Sequence, residues 1–304
     1  MNAPAAICAL PDLGVLRVRG PDARRFLQGQ LSNDLAGLNP GTLVHAGLHN
    51  PQGRTLALLA LLAWSEEDLG AILPLELLAE VIALLRRYVL RARVTLSDEH
   101  AALRVYGLRI DEGAPRPQGA LGFTAGRALH VLPEGASAPD GIELARDQWR
   151  ALDIAAGMPQ VYRATSGQFV AQMLNLDCID AISFSKGCYT GQEVIARAHY
   201  RGRVKRRMQR FASSDPLELA PGDALQLEDG RALRVVEAVA RADGGTEFLA
   251  VAPLPGAGAM EVEAAEPAAT APGAATAPVG AAAPVATAAR VRAWALPLPY
   301  ALPP

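Results

Sequence analysis

The sequence predicts an α+β protein built from mixed and antiparallel sheets with a few helices, and three observations carry that prediction. Strand-like alternation with hairpin turns occurs near both ends of the chain. Stretches of helical spacing are few and isolated between the strands. The 304 residues, half of them hydrophobic, are long for one domain and comfortable for two or three, with ample material for a core.

The elements follow in order. Residues 13–19 alternate apolar and polar side chains and should form a strand. Pro21 and Asp22 open a short helix that turns Phe26 and Leu27 inward. Residues 42–48 and 54–64 flank Asn50-Pro51-Gln52-Gly53, a turn with hairpin chemistry. The apolar run 56–64 is half the length of a bilayer span and reads as a strand buried on both faces. Residues 74–90 carry Leu75, Leu78, Ile82 and Leu85 at helical spacing. Further strands are expected at 93–96, 103–110 and 127–132. A helix is expected at 147–156, ended by Gly157 and Pro159. From 204 to 254 short strands alternate with Pro221-Gly222-Asp223, Asp229-Gly230 and Asp243-Gly244-Gly245, the pattern of a small β-barrel.

Residues 255–289 form an Ala/Pro/Gly/Thr tract that cannot bury enough surface to offset its ordering entropy, so a flexible insertion is expected there. Trp294 and Leu296 restore packing material beyond it, and a final strand should return to the barrel. The resulting division is 1–203 as two lobes, 204–254 plus 290–301 as the barrel, and 255–289 as the insertion.

Composition fits a soluble, cytoplasmic protein. The formal net charge of −2 excludes global attraction to nucleic acid but leaves room for a local basic patch. Cys8, Cys178 and Cys188 form no C-x-x-C pair, which fits a reducing compartment. The first ten residues lack a signal-peptide pattern. The five histidines are scattered without metal-ligand spacing, and one cysteine cannot hold an iron–sulfur cluster alone, so no stably bound metal is expected.

The most informative stretch is Lys186-Gly187-Cys188-Tyr189-Thr190-Gly191-Gln192-Glu193. Thr190 and Glu193 have capping-box spacing, which would make Thr190 an N-cap and set Cys188 two residues before a helix. The dipole's positive end and Lys186 would then favour thiolate, taking Cys188 below the free value of about 8.5. The competing reading is a small buried side chain filling a turn.

This octapeptide, with Ile182-Ser183-Phe184-Ser185 before it and Val194-Ile195-Ala196-Arg197-Ala198 after it, resembles the K-G-C-Y-x-G-Q-E signature of the YgfZ family, folate-binding relatives of the glycine-cleavage T protein. Other stretches fall in the family's order: residues 26–34, Gly53-Arg54, residues 90–94, Gly157-Met158-Pro159, residues 169–176 and Pro297-Leu298-Pro299-Tyr300. The resemblance implies T-protein-like folate-binding lobes with a C-terminal barrel. It implies tetrahydrofolate or a derivative as ligand, and a role in maintaining iron–sulfur enzymes, some of which modify tRNA. Iron–sulfur client or assembly proteins are the implied partners, with no membrane role.

Site residues follow from it. Trp149 matches a tryptophan before the family's G-x-P stretch and is the candidate wall of a pterin slot; ordinary core packing is the alternative. Leu13 falls where some members carry a second tryptophan, so one stacking partner is missing. Arg197 is a candidate partner for the folate tail's carboxylates, or else part of a solvated helix face. Gln28, Gln30 and Asn33 are candidates for the pterin's edges, or else satisfy local backbone groups. Cys188 is the candidate functional thiol, with Lys186 beside it.

Two other function classes remain open. The aminomethyltransferases carry an acidic pair after a Gly-Gly-Thr turn. Here Ala57 and Leu58 stand in those places, and neither can move a proton. A one-carbon transferase would need another group. The run 197–207, rich in Arg and Lys around Tyr200, has the composition of an RNA-facing strip, or of an outward-facing helix end.

Overall fold

The computed structural model describes residues 6–254, apart from 112, 125 and 203, and residues 289–303. The expected insertion at 255–289 falls almost wholly outside the described residues. Among the described residues the fold comprises three sheets and four α-helices. In chain order the first elements are β1 (Ala6–Ala9), β2 (Leu13–Arg19), α1 (Ala23–Gln28), β3 (Leu43–His49), β4 (Thr55–Ser65), β5 (Asp68–Pro74), α2 (Leu75–Arg86) and β6 (Thr95–Asp98). Next come β7 (Leu103–Arg109), β8 (Leu121–Thr124), β9 (Arg127–Pro133), β10 (Ile142–Glu143) and α3 (Arg146–Ala155). A 3-10 turn at Ala171–Leu174 precedes α4 (Gln192–Arg201), β11 (Arg206–Ser213), β12 (Ala224–Leu227), β13 (Ala232–Ala240), β14 (Thr246–Pro253), β15 (Ala289–Val291) and β16 (Trp294–Leu296).

The first sheet runs β3-β4-β5-β2-β6, and all its pairings are antiparallel. The second runs β10-β1-β7-β9-β8, with only β1–β10 parallel. Strand β4 explains why the two pack together. Its Ala57, Leu59, Leu61 and Ala63 enter the largest core, shared with α1 and α2. Ala60 and Leu62 point the other way, into a second core with Val105, Leu121, Leu129 and Trp149 from the second sheet and α3. A strand buried on both faces reads as the continuous apolar run seen at 56–64.

The third sheet, β15-β12-β13-β14-β11-β16, curls into a half-barrel near the C-terminus. Phe211 and Phe248 stack at its centre with 5.4 Å between ring centroids. The last strands do return to it: β15 pairs with β12, and β16 with β11.

Several boundaries differ from the sequence reading. Helix α2 stops at Arg86 rather than Leu90, and Tyr88, Val89 and Leu90 form tight turns. The strand expected at 93–96 lies at Thr95–Asp98, paired to β2. Strand β5 was not anticipated. Its DLGAILP run is too short and too uniformly apolar to show a period.

Candidate functional site

The two-sheet core leaves a cavity beside α3. Trp149, Phe123, Leu13, Leu58, Ala60, Ile72, Leu129 and Met158 supply its apolar walls, and its volume is about 50 Å³. That is well below the volume of a typical small-molecule site, so a flat ligand would enter only as these walls part. Trp149 is 2% exposed. Its ring lies flat over β7 at Gly107, where an added Cβ would come within 2.6 Å of the indole. Any other residue there would displace the indole. Phe123 faces Trp149 at 6.3 Å between centroids, and the Arg127 guanidinium sits 5.1 Å from each ring.

Polar groups line the same space. Arg127 donates to Asp153 Oδ1 at 2.5 Å, and the other carboxylate oxygen accepts no hydrogen bond from the described residues. Asp153 remains 21% exposed at its side chain although it lies deep, because that exposure opens on the cavity it lines. Burial pushes its pKa up to about 6 against the pull of Arg127. Arg146 holds Asp12 through Nε and Nη2, leaving Nη1 buried without a partner. His45 Nε2 is likewise buried and unpartnered. Burial, with Arg127 adding to it, takes that imidazole down to about 4, so it is neutral at pH 7. Glu237 reaches in from β13 and accepts from Arg150 and from the Tyr162 hydroxyl. Two buried polar atoms without a partner and one half-satisfied carboxylate thus surround the aromatic slot.

The motif segment is built differently. Cys188 is exposed, whereas Cys8 is buried and Cys178 half-buried. Lys186 is buried, and its ammonium donates to the carbonyls of Gln28, Leu31 and Asn33 at 2.6–2.8 Å. Burial lowers its pKa to about 8, which leaves it mostly charged at neutral pH. The ammonium is held by three backbone acceptors, where it clamps the 28–33 loop onto the motif.

The expected capping box is absent as well. Gly191, not Thr190, is the N-cap of α4, and no side chain caps it. Gly191 takes a φ of 83°, and a Cβ there would lie 2.5 Å from the Asn50 carbonyl oxygen. The close approach to the Asn50–Gly53 turn, rather than hydroxyl capping, sets where the helix begins.

No family model matches the sequence. Among curated proteins, the chain is 32% identical over 285 residues to the tRNA-modifying protein YgfZ of Edwardsiella ictaluri, covering 82% of this chain and 84% of that one. The chain belongs to the YgfZ family. An uncharacterized protein of Haemophilus influenzae is 30% identical over 222 residues, 72% of this chain and 78% of its own. A crystal structure of the glycine cleavage system aminomethyltransferase T from Bartonella henselae superposes with a TM-score of 0.65 at 16% identity, covering 83% of this chain and 79% of that one. The fold is therefore shared with the T protein.

Within this YgfZ-family chain the sequence-derived site residues separate into two groups. Leu13 and Trp149 line the cavity; Gln28, Gln30, Asn33 and Arg197 do not. Gln28 instead bonds Asp34 and the Leu35 amide, while Asn33 donates to the carbonyls of His45 and Asp180. Asn33 lines a separate open cleft with Phe184 and Ser185. Gln30 is half-buried beyond α1, and Arg197 is exposed on α4. Ala57 and Leu58 are both buried, and Leu58 forms part of the cavity wall. Sequence reading missed Asp153, Arg146, His45, Phe123, Tyr162 and Glu237. Arg146, Trp149 and Asp153 do share a helical stripe at i, i+3 and i+7. Glu237 is a lone acid within an apolar strand, which is itself a signal. His45 and Phe123 carry none.

Among the described residues no group of three or more His, Cys, Asp or Glu side chains is placed to hold a metal ion. No helix among them is long and apolar enough to cross a membrane.

Proposed function

We propose that this protein is a cytoplasmic folate-binding accessory factor that supports assembly or repair of iron–sulfur enzymes, tRNA-modifying ones included, with tetrahydrofolate or a derivative as ligand. The observation that carries this reading is the slot between Trp149 and Leu58, walled by aromatic and aliphatic groups and edged by unpartnered polar atoms. The curated relatives' name ties the family to tRNA modification. Cys188 would be the working thiol, since it alone of the three cysteines is exposed. Aliphatic side chains at 57 and 58 argue against aminomethyl transfer, because neither can hold or move a proton.

Equilibrium dialysis with tetrahydrofolate, beside an assay of methylene transfer, tests this. The reading expects saturable one-to-one binding without turnover. Absence of binding overturns it, and robust turnover would replace it with the transferase reading.

A second reading has one observation in its favour. On α4, Tyr200 is 67% exposed and packs edge-on against His199, which stacks on Phe184 at 3.8 Å. With Arg197 and Arg201 on the same helix, this is a stacking platform beside cationic groups, the arrangement that single-stranded RNA uses. Salt-dependent binding of RNA, lost in Tyr200→Ala, would support it.

A further inference from the structure

The turn that follows α2 presents an apolar knob flanked by arginines. Residues 86–93 contain Arg86, Arg87, Arg91 and Arg93 and no acid. All four arginines are exposed. Between them Leu90 is 86% exposed, more than any other large hydrophobic side chain among the described residues, and Tyr88 is 43% exposed.

The backbone holds this knob in place. The Arg87, Tyr88 and Val89 amides donate to the carbonyls of Leu84, Leu85 and Arg86 at 3.0–3.2 Å, and the Leu90 amide donates to that of Tyr88 at 3.0 Å. Val89, Ala92 and Val94 pack on the main core, which leaves Leu90 outside. The end of β2 closes on the same turn: a Cβ at Gly20 would lie 2.1 Å from the Arg93 carbonyl oxygen.

Neighbouring groups leave much of the positive charge unmatched. Arg93 lies 3.6 Å from Asp22, yet its side chain is 77% exposed. Arg86 donates to the Leu96 carbonyl. The Arg87 and Arg91 guanidinium groups have no hydrogen bond or ion pair among the described residues. Beyond Gly20 the acids are committed elsewhere, Glu66 to Arg24, Asp68 to Arg17 and Glu99 to Arg19, with Glu67 exposed beside them.

We propose that residues 86–93 dock a protein partner whose surface offers an apolar socket for Leu90 and Tyr88, rimmed by carboxylates that meet Arg87 and Arg91. Tyr and Arg are the residue types enriched in interface centres, where an apolar group is desolvated and charge-assisted bonds close around it. A turn already ordered by its own hydrogen bonds loses little entropy on docking. Two other surfaces fit less well. Single-stranded RNA would engage Tyr88 and the arginines but leave Leu90, which cannot stack on a base, in water. An anionic membrane would meet one aliphatic side chain on a chain of net charge −2, too little for stable anchoring. None of these residues lines the cavity, so the proposal stands apart from the folate reading.

Photo-crosslinking tests it. The full chain carrying p-benzoylphenylalanine at position 90, irradiated in bacterial cells, should give a protein adduct that ribonuclease leaves intact. The captured protein, identified by mass spectrometry and purified, is then titrated with the full chain. Binding should weaken about tenfold in Leu90→Ser and about tenfold in the double variant Arg87→Glu/Arg91→Glu. It should also weaken as salt rises. Both variants change exposed side chains and should keep the wild-type unfolding midpoint. No adduct, an adduct removed by ribonuclease, or binding unmoved by either variant overturns the proposal. So does sedimentation of the chain with phosphatidylcholine–phosphatidylglycerol vesicles that Leu90→Ser abolishes, which would put a lipid surface in the partner's place.

Discussion

The cavity beside α3 and the motif segment at 186–201 solve opposite problems. The cavity is assembled from residues far apart in sequence: His45, Leu58, Phe123, Trp149 and Glu237 come from five strands and helices. Some of its polar atoms are left without a protein partner. The motif segment is continuous in sequence and satisfies its buried charge fully, three carbonyls to one ammonium, while leaving Cys188 outside. Unpaired buried polar groups cost stability. A satisfied charge under an exposed thiol is instead a rigid mount.

The sharpest way to break this contrast is to remove the cavity's wall. Trp149→Ala should cost about 3–5 kcal/mol in denaturant unfolding, because the indole fills the hollow above Gly107 and cannot be replaced by collapse. Ligand binding is better tested in the gentler Trp149→Phe, as below. Next in size is the mount. Lys186→Met strands three carbonyls and should destabilise by about 2–4 kcal/mol, with faster proteolysis at the 28–34 loop than elsewhere. Equal exchange protection of that loop in both proteins would show that the clamp is redundant.

Acid should reveal a third, smaller effect. His49 on β3 is 2% exposed with neither ring nitrogen bonded, and burial takes it down to about 3. The unfolded chain takes up its proton near pH 6.5 while the folded chain refuses it. Stability present above pH 6.5 is therefore lost as pH falls, by on the order of 2 kcal/mol per buried histidine between 6.5 and 5. Asp153 runs the other way between about 4 and 6, since its folded pKa is raised. His49→Leu should flatten the acid limb measured by urea unfolding across pH.

The smallest effects belong to the exposed surface. Cys188→Ser should leave stability within about 0.5 kcal/mol of wild type. Native-state alkylation should label Cys188 and spare Cys8, which is buried. Cys178 should also lag, since burial and the neighbouring Asp177 push its thiol up to about 11. Arg197→Ala should not change folate affinity.

The same contrast explains what the sequence disclosed. Periodicity located β2, β4, β7 and α3 to within a residue or two, because each has one or two clear faces. The octapeptide announced itself, being local, but its geometry did not. Capping-box spacing at Thr190 and Glu193 was overridden by the packing of Gly191 against Asn50. Family likeness singled out Trp149, which lines the cavity, and Asp153, seven residues from Arg146 on the same helix stripe, was visible in principle. His45 and Phe123 enter the cavity only through sheet pairing, which no local pattern encodes. Gln28 and Asn33 bond local groups away from the cavity, and in sequence a polar side chain looks the same whether it bonds a ligand or its own backbone.

The central claim is that a folate lies against Trp149. The chain has three tryptophans, so a Trp64→Phe/Trp294→Phe background isolates Trp149 as the reporter. Titrating that protein with tetrahydrofolate should quench its emission saturably, reaching an endpoint at one equivalent, with affinity reduced about tenfold when Trp149→Phe is followed by dialysis instead. Emission unchanged by a ligand that dialysis shows to be bound would place the folate elsewhere and contradict the account.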